Sequence, residues 1–237
     1  MLPGADISCW SGPGPWQKAD IAWAAVTVTE VRVDGSRWQS ATAAEEWDWL
    51  AANGKARIAC LIGHPGSSPQ ESAQFFAVAV HDALQDGDGI LISLDTADSR
   101  NPAQVSIWAK MTARALESTL GRTPVICTSP EFAAAGNCPG LGALPLWIFA
   151  PDGMLPAPKP WESWTFHQGT DGRAFAAFTS ADEMRATLGR KGAKPRQRVS
   201  PAARKFLEAL NEGSPDLDAS VRALADEIEA ELARQGG

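Results

Sequence analysis

Four carboxylates and two imidazoles stand at or near the ends of short apolar runs in this 237-residue chain. Asp6 lies in the run Ala5–Cys9, Glu30 follows Ala24–Thr29, and His64 follows Arg57–Ile62. Asp95 and Asp98 follow Ile90–Leu94, and His167-Gln168 closes the run that begins at Trp164. A carboxyl group at the C-terminal end of a barrel strand lies where barrel enzymes assemble their chemistry, and there it can give or take a proton. The same residues have structural uses: Asp6 can cap a turn, and Glu30 and Asp95 can hydrogen-bond to neighbouring loops. His64 and His167 read as polar residues of a barrel mouth. No third ligand accompanies them at a metal-binding spacing, so neither a metal nor a cofactor is expected. The chain has ten Trp and no Tyr; Trp10, Trp23, Trp38, Trp47, Trp49 and Trp108 are expected to pack in the core or under helices.

The elements that must position these residues are legible as alternating patterns. Strands are expected at Ala5–Cys9, Ala24–Thr29, Arg57–Ile62, Ile90–Leu94, Pro124–Cys127, Pro145–Phe149, Trp164–His167 and Ala174–Phe178, each apolar and bounded by Gly, Pro, Asp or Ser. Helices are expected at Ala43–Asn53, Pro69–Leu84 and Pro102–Leu120. Early strands each precede a helix-length segment, which predicts βα units and a mostly parallel sheet. Later strands are joined by shorter loops. The expected fold is therefore α/β: an irregular TIM-like (β/α) barrel over residues 1–188. Residues 189–199 are basic and rich in Gly and Pro, as in a linker. A helical extension over 200–237 follows, with Ser200-Pro201 and Ser214-Pro215 as helix starts. Its last helix carries Leu217, Val221, Leu224, Ile228 and Leu232 on one stripe, which suits a protein partner, self-association or packing on the barrel.

Composition narrows the field. A net charge of -7 gives no basic surface for nucleic acid, and no run of about 18 apolar residues exists to span a membrane. The start, MLPGADISCW, lacks the basic and apolar regions of a secretory signal, so synthesis in the cytoplasm is expected. Cys9, Cys60, Cys127 and Cys138 are widely spaced, three of them in apolar runs, and read as buried free thiols.

Taken in order, several short motifs carry a resemblance. They are Asp6-Ile7-Ser8, the strand ending Thr29-Glu30, Ile62-Gly63-His64-Pro65, Asp95-Thr96-Ala97-Asp98, Leu146-Trp147-Ile148, and Trp164 to Thr170 with His167-Gln168-Gly169 at its centre. Over roughly residues 4–188 the set resembles the family 25 glycoside hydrolases, lysozyme-type muramidases. Those enzymes carry Asp-x-Ser, a strand ending Thr-Glu-Gly, a Tyr-His-Phe strand end, Asp-x-Glu, Trp-x-Ala and a closing Trp-Gln-Tyr-Thr.

The resemblance implies a barrel that acts, or once acted, on peptidoglycan. It makes Asp6, Glu30 and Asp95 a remnant acidic cluster and places the family's catalytic acid at Ala97. Cleavage of a glycosidic bond needs a carboxylic acid to protonate the leaving oxygen, and a methyl group cannot. Asp98 is the nearest substitute, but side chains alternate along a strand, so it is expected to face away from Asp95 unless the strand has ended or bulges there. The family's late Asp falls in Ala176–Ser180, which offers only hydroxyls, and its Tyr positions fall on Gly63, Cys127 and Gly169. His64, Trp147, Trp164, His167 and Gln168 are the implied glycan contacts. The function expected is a non-catalytic, muramidase-like barrel. It serves either as a structural component of a phage virion or injection machine or as a pseudoenzyme that binds cell-wall glycan. The alternative is a working muramidase with a relocated acid.

Overall fold

The computed structural model describes residues 1–7, 21–150, 157–169 and 173–189. The strands are β1 (Leu2–Ile7), β2 (Trp23–Val31), β3 (Arg37–Gln39), β4 (Ala56–Ile62), β5 (Gly89–Ser93), β6 (Val125–Thr128), β7 (Leu146–Phe149), β8 (Phe166–Gln168) and β9 (Arg173–Ala176). Helices α1 (Ala43–Ala52), α2 (Pro69–Val80) and α3 (Pro102–Leu120) follow β3, β4 and β5; α4 (Pro130–Phe132) is one turn, and α5 (Ala181–Leu188) follows β9. All eight expected strands form. The linker beyond Gly189, the 200–237 helices, Cys9 and Trp10 lie outside the described residues.

The strand order β1-β9-β8-β7-β6-β5-β4-β2 closes through a β1–β2 pairing, making an eight-stranded barrel, with β3 added as a hairpin on β2. Neighbours from β1 through β2 and β4 to β8 run parallel. β9 is antiparallel to both β8 and β1, so the sheet is parallel except at this one strand and the β3 hairpin. The reason is length: four residues join β8 to β9, enough for a hairpin but not for the crossover a parallel strand requires.

Helix ends follow local chemistry. Asn101 caps α3 in a capping box with Gln104, Pro102 occupies the first turn, and Gly121 ends the helix at φ 65°. Ser68 caps α2 ahead of Pro69, and Ser180 caps α5. The β3 hairpin escapes a pattern reading because Arg37-Trp38-Gln39 is too short and polar to register as a strand.

Two apolar layers hold the barrel. Outward strand residues such as Ile7, Val26, Leu61 and Ile92 pack under α1, α2 and α3. Inward residues fill the lumen, chiefly Trp23, Ile58, Trp147 and Phe166. Trp23 meets Trp147 edge-on at 5.2 Å and Phe166 at 5.0 Å, while Trp147 and Phe166 stack at 5.3 Å. Such pairs add about 0.5–1.5 kcal/mol beyond area burial. Gly4 makes room for this cluster: a Cβ there would lie 2.1 Å from the Trp23 ring.

Candidate functional site

Strands β1, β2, β4 and β5 are parallel, so their C-terminal ends share one rim, the barrel mouth. Asp6 pairs in register with the inward Ala25 and looks into the lumen. Glu30 reaches the same side by a different route. Counting alternately from the inward Trp23 would turn Glu30 outward, but the pairing with β4 slips between Thr27 and Thr29. This bulge inserts one residue, sets Glu30 opposite Ile62, and re-aims its carboxylate into the mouth. Asp95 follows β5 two residues after the inward Ser93.

Two polar clusters result. In the first, the Trp147 indole N–H donates to Gln168 Oε1 at 3.0 Å, and Gln168 Nε2 donates to Asp6 Oδ2 at 3.2 Å. Ser93 Oγ donates to Asp95 Oδ2 at 2.8 Å. Burial raises the Asp6 carboxyl from its ordinary pKa; the Gln168 hydrogen bond opposes this and the negative field of Asp95 adds to it. Asp95 has a solvent-exposed flank, yet the surrounding wall withdraws enough water to raise its pKa too, against the Ser93 bond. Below them, burial and then the two carboxylates push the Cys60 and Cys127 thiols far up. Both are free and buried, so neither is a nucleophile.

In the second cluster, His64 bridges two acids. Its Nε2 is 2.8 Å from Glu30 Oε1 and its Nδ1 is 3.3 Å from Asp98 Oδ2. Arg32 Nε donates to Glu30 Oε1 at 2.9 Å. Burial would raise the Glu30 pKa, but hydrogen bonds from Arg32 and His64 outweigh it and the net shift is downward. Asp98 also accepts from Gly66 N–H at 3.2 Å and from Thr96 Oγ at 2.9 Å. β5 ends at Ser93, and Asp98 and Ser99 take φ of 46° and 62°. Strand alternation therefore does not govern Asp98: it turns toward His64 rather than away from the site.

Asp6, Glu30 and Asp95 thus stand on one rim with His64, Asp98 and Gln168. Other expected contacts fall elsewhere. Trp147 is 1% exposed and sits in the lumen core, so no ring face is open for stacking. His167 alternates with the inward Phe166 and Gln168; it turns to the outer wall, 3% exposed, with its ring 5.6 Å from Trp164. Trp164 packs on the outer layer. Ala97 also leans on that outer layer. The Cβ direction of Gly63 points at Ser93 O and the Trp108 ring, 2.8 and 3.1 Å away, so this position has no room for a tyrosine.

The stretch after β9 lies at the other pole, because β9 is antiparallel and Ala176 pairs with Leu2 at the start of β1. There Thr179 and Ser180 bind Glu183 and cap α5, and they bring no group to the mouth. A groove of about 410 Å³ also opens near that pole, between residues 142–146 and 160–165; Glu162 is its one ionisable group.

Two rim residues escaped the sequence reading. Arg32 lies two residues from Glu30, a spacing that puts both on one face of an extended chain. Phe149 lies two residues after Trp147 on the same face of β7 and is 37% exposed. Among the described residues, no three His, Cys, Asp or Glu side chains are grouped to hold a metal, and no helix is long and apolar enough to cross a membrane.

Known proteins share this fold. The family model described as glycosyl hydrolases family 25 matches residues 5–177. Among solved structures, a muramidase from Acremonium alcalophilum is 23% identical with a TM-score of 0.67, covering 79% of this chain and 98% of that one. A bacterial lysozyme from Streptomyces coelicolor is 18% identical with a TM-score of 0.66, covering 79% and 96%. A family 25 glycosyl hydrolase from Bacillus anthracis is 15% identical with a TM-score of 0.66, covering 79% and 94%. No curated protein matches the chain by sequence.

Proposed function

The chain belongs to glycosyl hydrolase family 25, and from that premise we propose that it is a non-hydrolytic barrel whose mouth binds cell-wall glycan. One observation carries the reading. Beside Asp95, the residue where the resemblance puts the acid is Ala97, and the nearest carboxylate, Asp98, is occupied as an acceptor. Its oxygens take hydrogens from Gly66 N and Thr96 Oγ and face His64 Nδ1. A general acid must hold its own proton and aim it at the leaving oxygen; Asp98 is arranged to receive hydrogens.

What the mouth can still do is bind. Asp6 and Asp95 offer acceptors for sugar hydroxyls, and Arg32, half exposed at the rim, offers donors. A second reading, an active muramidase with a relocated acid, draws on the raised pKa of Asp6, since a group that keeps its proton can give it. The same barrel as a building block of a virion or injection particle is a third reading. It rests on the sequence of residues 200–237, whose apolar stripe suits a protein partner.

Co-sedimentation with purified peptidoglycan, run beside turbidity and reducing-end assays, tests these readings. The expected result is pelleting without lysis or new reducing ends. Lysis abolished by Asp6→Asn or Asp98→Asn would establish a relocated acid and overturn the proposal. Neither pelleting nor lysis would leave only the building-block reading.

A further inference from the structure

We propose that Phe149 is a stacking platform of the mouth, the residue that selects a ligand with an apolar ring face. The inference rests on the glycan-binding reading above and deepens it by naming the contact.

Along β7, Leu146 and Ile148 belong to the outer layer and Trp147 to the lumen. Phe149 continues the inward series one step nearer the rim. It pairs in register with Gln168, and the Gln168 amide reaches Asp6. The ring therefore stands at the parallel strands' C-terminal end, one strand from the side chain that holds Asp6. Trp147 beneath it is 1% exposed, but Phe149 is 37% exposed.

A single exposed apolar side chain is ordinary on a protein surface; what sets Phe149 apart is its place among the polar groups of the rim, since an apolar contact beside a few convergent polar groups is the usual make-up of a small-ligand site. The chemistry fits a pyranose. Its equatorial hydroxyls reach out to groups such as Asp6 and Asp95, while its axial C–H bonds make an apolar face that packs on the negative face of an aromatic ring. The family's Trp-x-Ala segment reads Trp147-Ile148-Phe149 here, so the ring is a feature of this chain. With Trp147 buried and Gly63 closed to a larger side chain, Phe149 is the most exposed aromatic on the described inner face; Trp38, which pairs with Glu30, is half-buried.

The test uses the full chain, purified peptidoglycan sacculi and the β-1,4-linked N-acetylglucosamine tetramer as probes. Phe149→Ala and Phe149→Leu should each weaken binding of both probes by roughly fivefold or more, as loss of one stacking contact predicts. Phe149→Leu keeps an apolar side chain and removes only the ring, and Phe149→Tyr restores the ring and should bind like the parent. Phe175→Ala is the control: Phe175 is equally exposed but alternates with the inward Ala174 and Ala176, so it faces the outer wall and its loss should change nothing. Melting temperatures should stay close to the parent's in every variant. A parent that binds while both Phe149 variants bind equally well overturns the platform alone. A parent that binds neither probe overturns the glycan-binding reading and the platform with it.

Discussion

Replacing Gln168 by Met tests the first polar cluster most sharply, because one side chain serves two partners of different kinds. Met keeps the approximate volume and removes both hydrogen bonds. The Trp147 indole N–H lies in a fully buried ring and would lose its Gln168 partner; an orphaned buried donor costs about 1–3 kcal/mol. The bond to Asp6 is worth less than a fully buried charged pair, because Asp6 is only half-buried, so about 1 kcal/mol is assigned to it. The sum at neutral pH is about 2–4 kcal/mol. The two parts separate by pH. Burial raises the folded pKa of Asp6, and the Gln168 bond restrains that rise. Without Gln168 the native state holds the Asp6 proton still more tightly. The Asp6 part of the loss is then fully present above the variant's folded pKa and fades as pH falls through the two folded values, both of which lie above the unfolded value of 3.8. The Trp147 part does not titrate. Urea denaturation at pH 7 and near pH 3.5 should therefore give a loss about 1 kcal/mol smaller in acid. Equal losses at the two pH values would refute the Gln168–Asp6 coupling, and a loss below about 0.5 kcal/mol at both would refute the buried relay itself.

Asp6→Asn should stabilise the protein at pH 7, since burial penalises the charged form and Asn Oδ1 still accepts from Gln168; the gain should vanish below pH 3.8 in a thermal melt series. Glu30→Gln should do the reverse. The folded Glu30 pKa is depressed below 4.5, so its contribution is present above 4.5 and lost as pH falls through the folded value, and the variant's deficit should shrink in acid. Gly4→Ala should cost about 1–3 kcal/mol or prevent folding, because its Cβ would enter the Trp23 ring, which chemical denaturation reads directly. Ala97→Glu should fail to restore lysis in a turbidity assay. A general acid is typically worth roughly 10²–10⁴-fold, but position 97 leans on the outer layer and the post-β9 hydroxyls sit at the far pole.

The barrel was readable because inward and outward faces of buried parallel strands are both apolar, and such runs stand out between Gly, Pro and Asp. Which way a given residue points was less readable, because alternation holds only while the strand lasts and carries no bulge. Glu30 looks outward by counting and inward in the molecule, and the bulge at Thr27–Thr29 has no Gly to announce it. Asp98 faces away from Asp95 only if the strand runs on to it, and β5 ends five residues earlier, at Ser93. The reverse error concerns Trp147. A Trp flanked by Leu146 and Ile148 reads as either a ligand platform or a core residue, and only Trp23 and Phe166, from distant parts of the sequence, decide for the core. His167 has a similar history: its neighbours Phe166 and Gln168 take the inner face, so it is left with the outer one.

The mouth sorts its carboxylates by environment, and the sorting bears on whether hydrolysis is within reach. Asp6 and Asp95 sit against a lumen of Trp, Phe and Cys with few donors, so their protons are held more tightly than in water. Glu30 sits among Arg32 and His64 and gives its proton up more readily. A glycosidase needs groups of both kinds, one proton-holding and one ionised, so the electrostatic contrast for catalysis survives. The ionised member, however, is clasped: Glu30 Oε1 contacts both Arg32 and His64, at 2.9 and 2.8 Å, which leaves that oxygen engaged when a sugar arrives. Attack on an anomeric carbon or activation of a water would require one of those partners to withdraw, at a cost of about 1.5–3 kcal/mol per charged hydrogen bond. Binding asks for no such withdrawal, because hydroxyl groups can be accepted by Asp6 and Asp95 as they stand. Arg32→Ala separates the two cases: it frees Glu30 at the price of one donor, and reducing-end release that appears only in this variant would show that the clasp, rather than Ala97, is what silences the site.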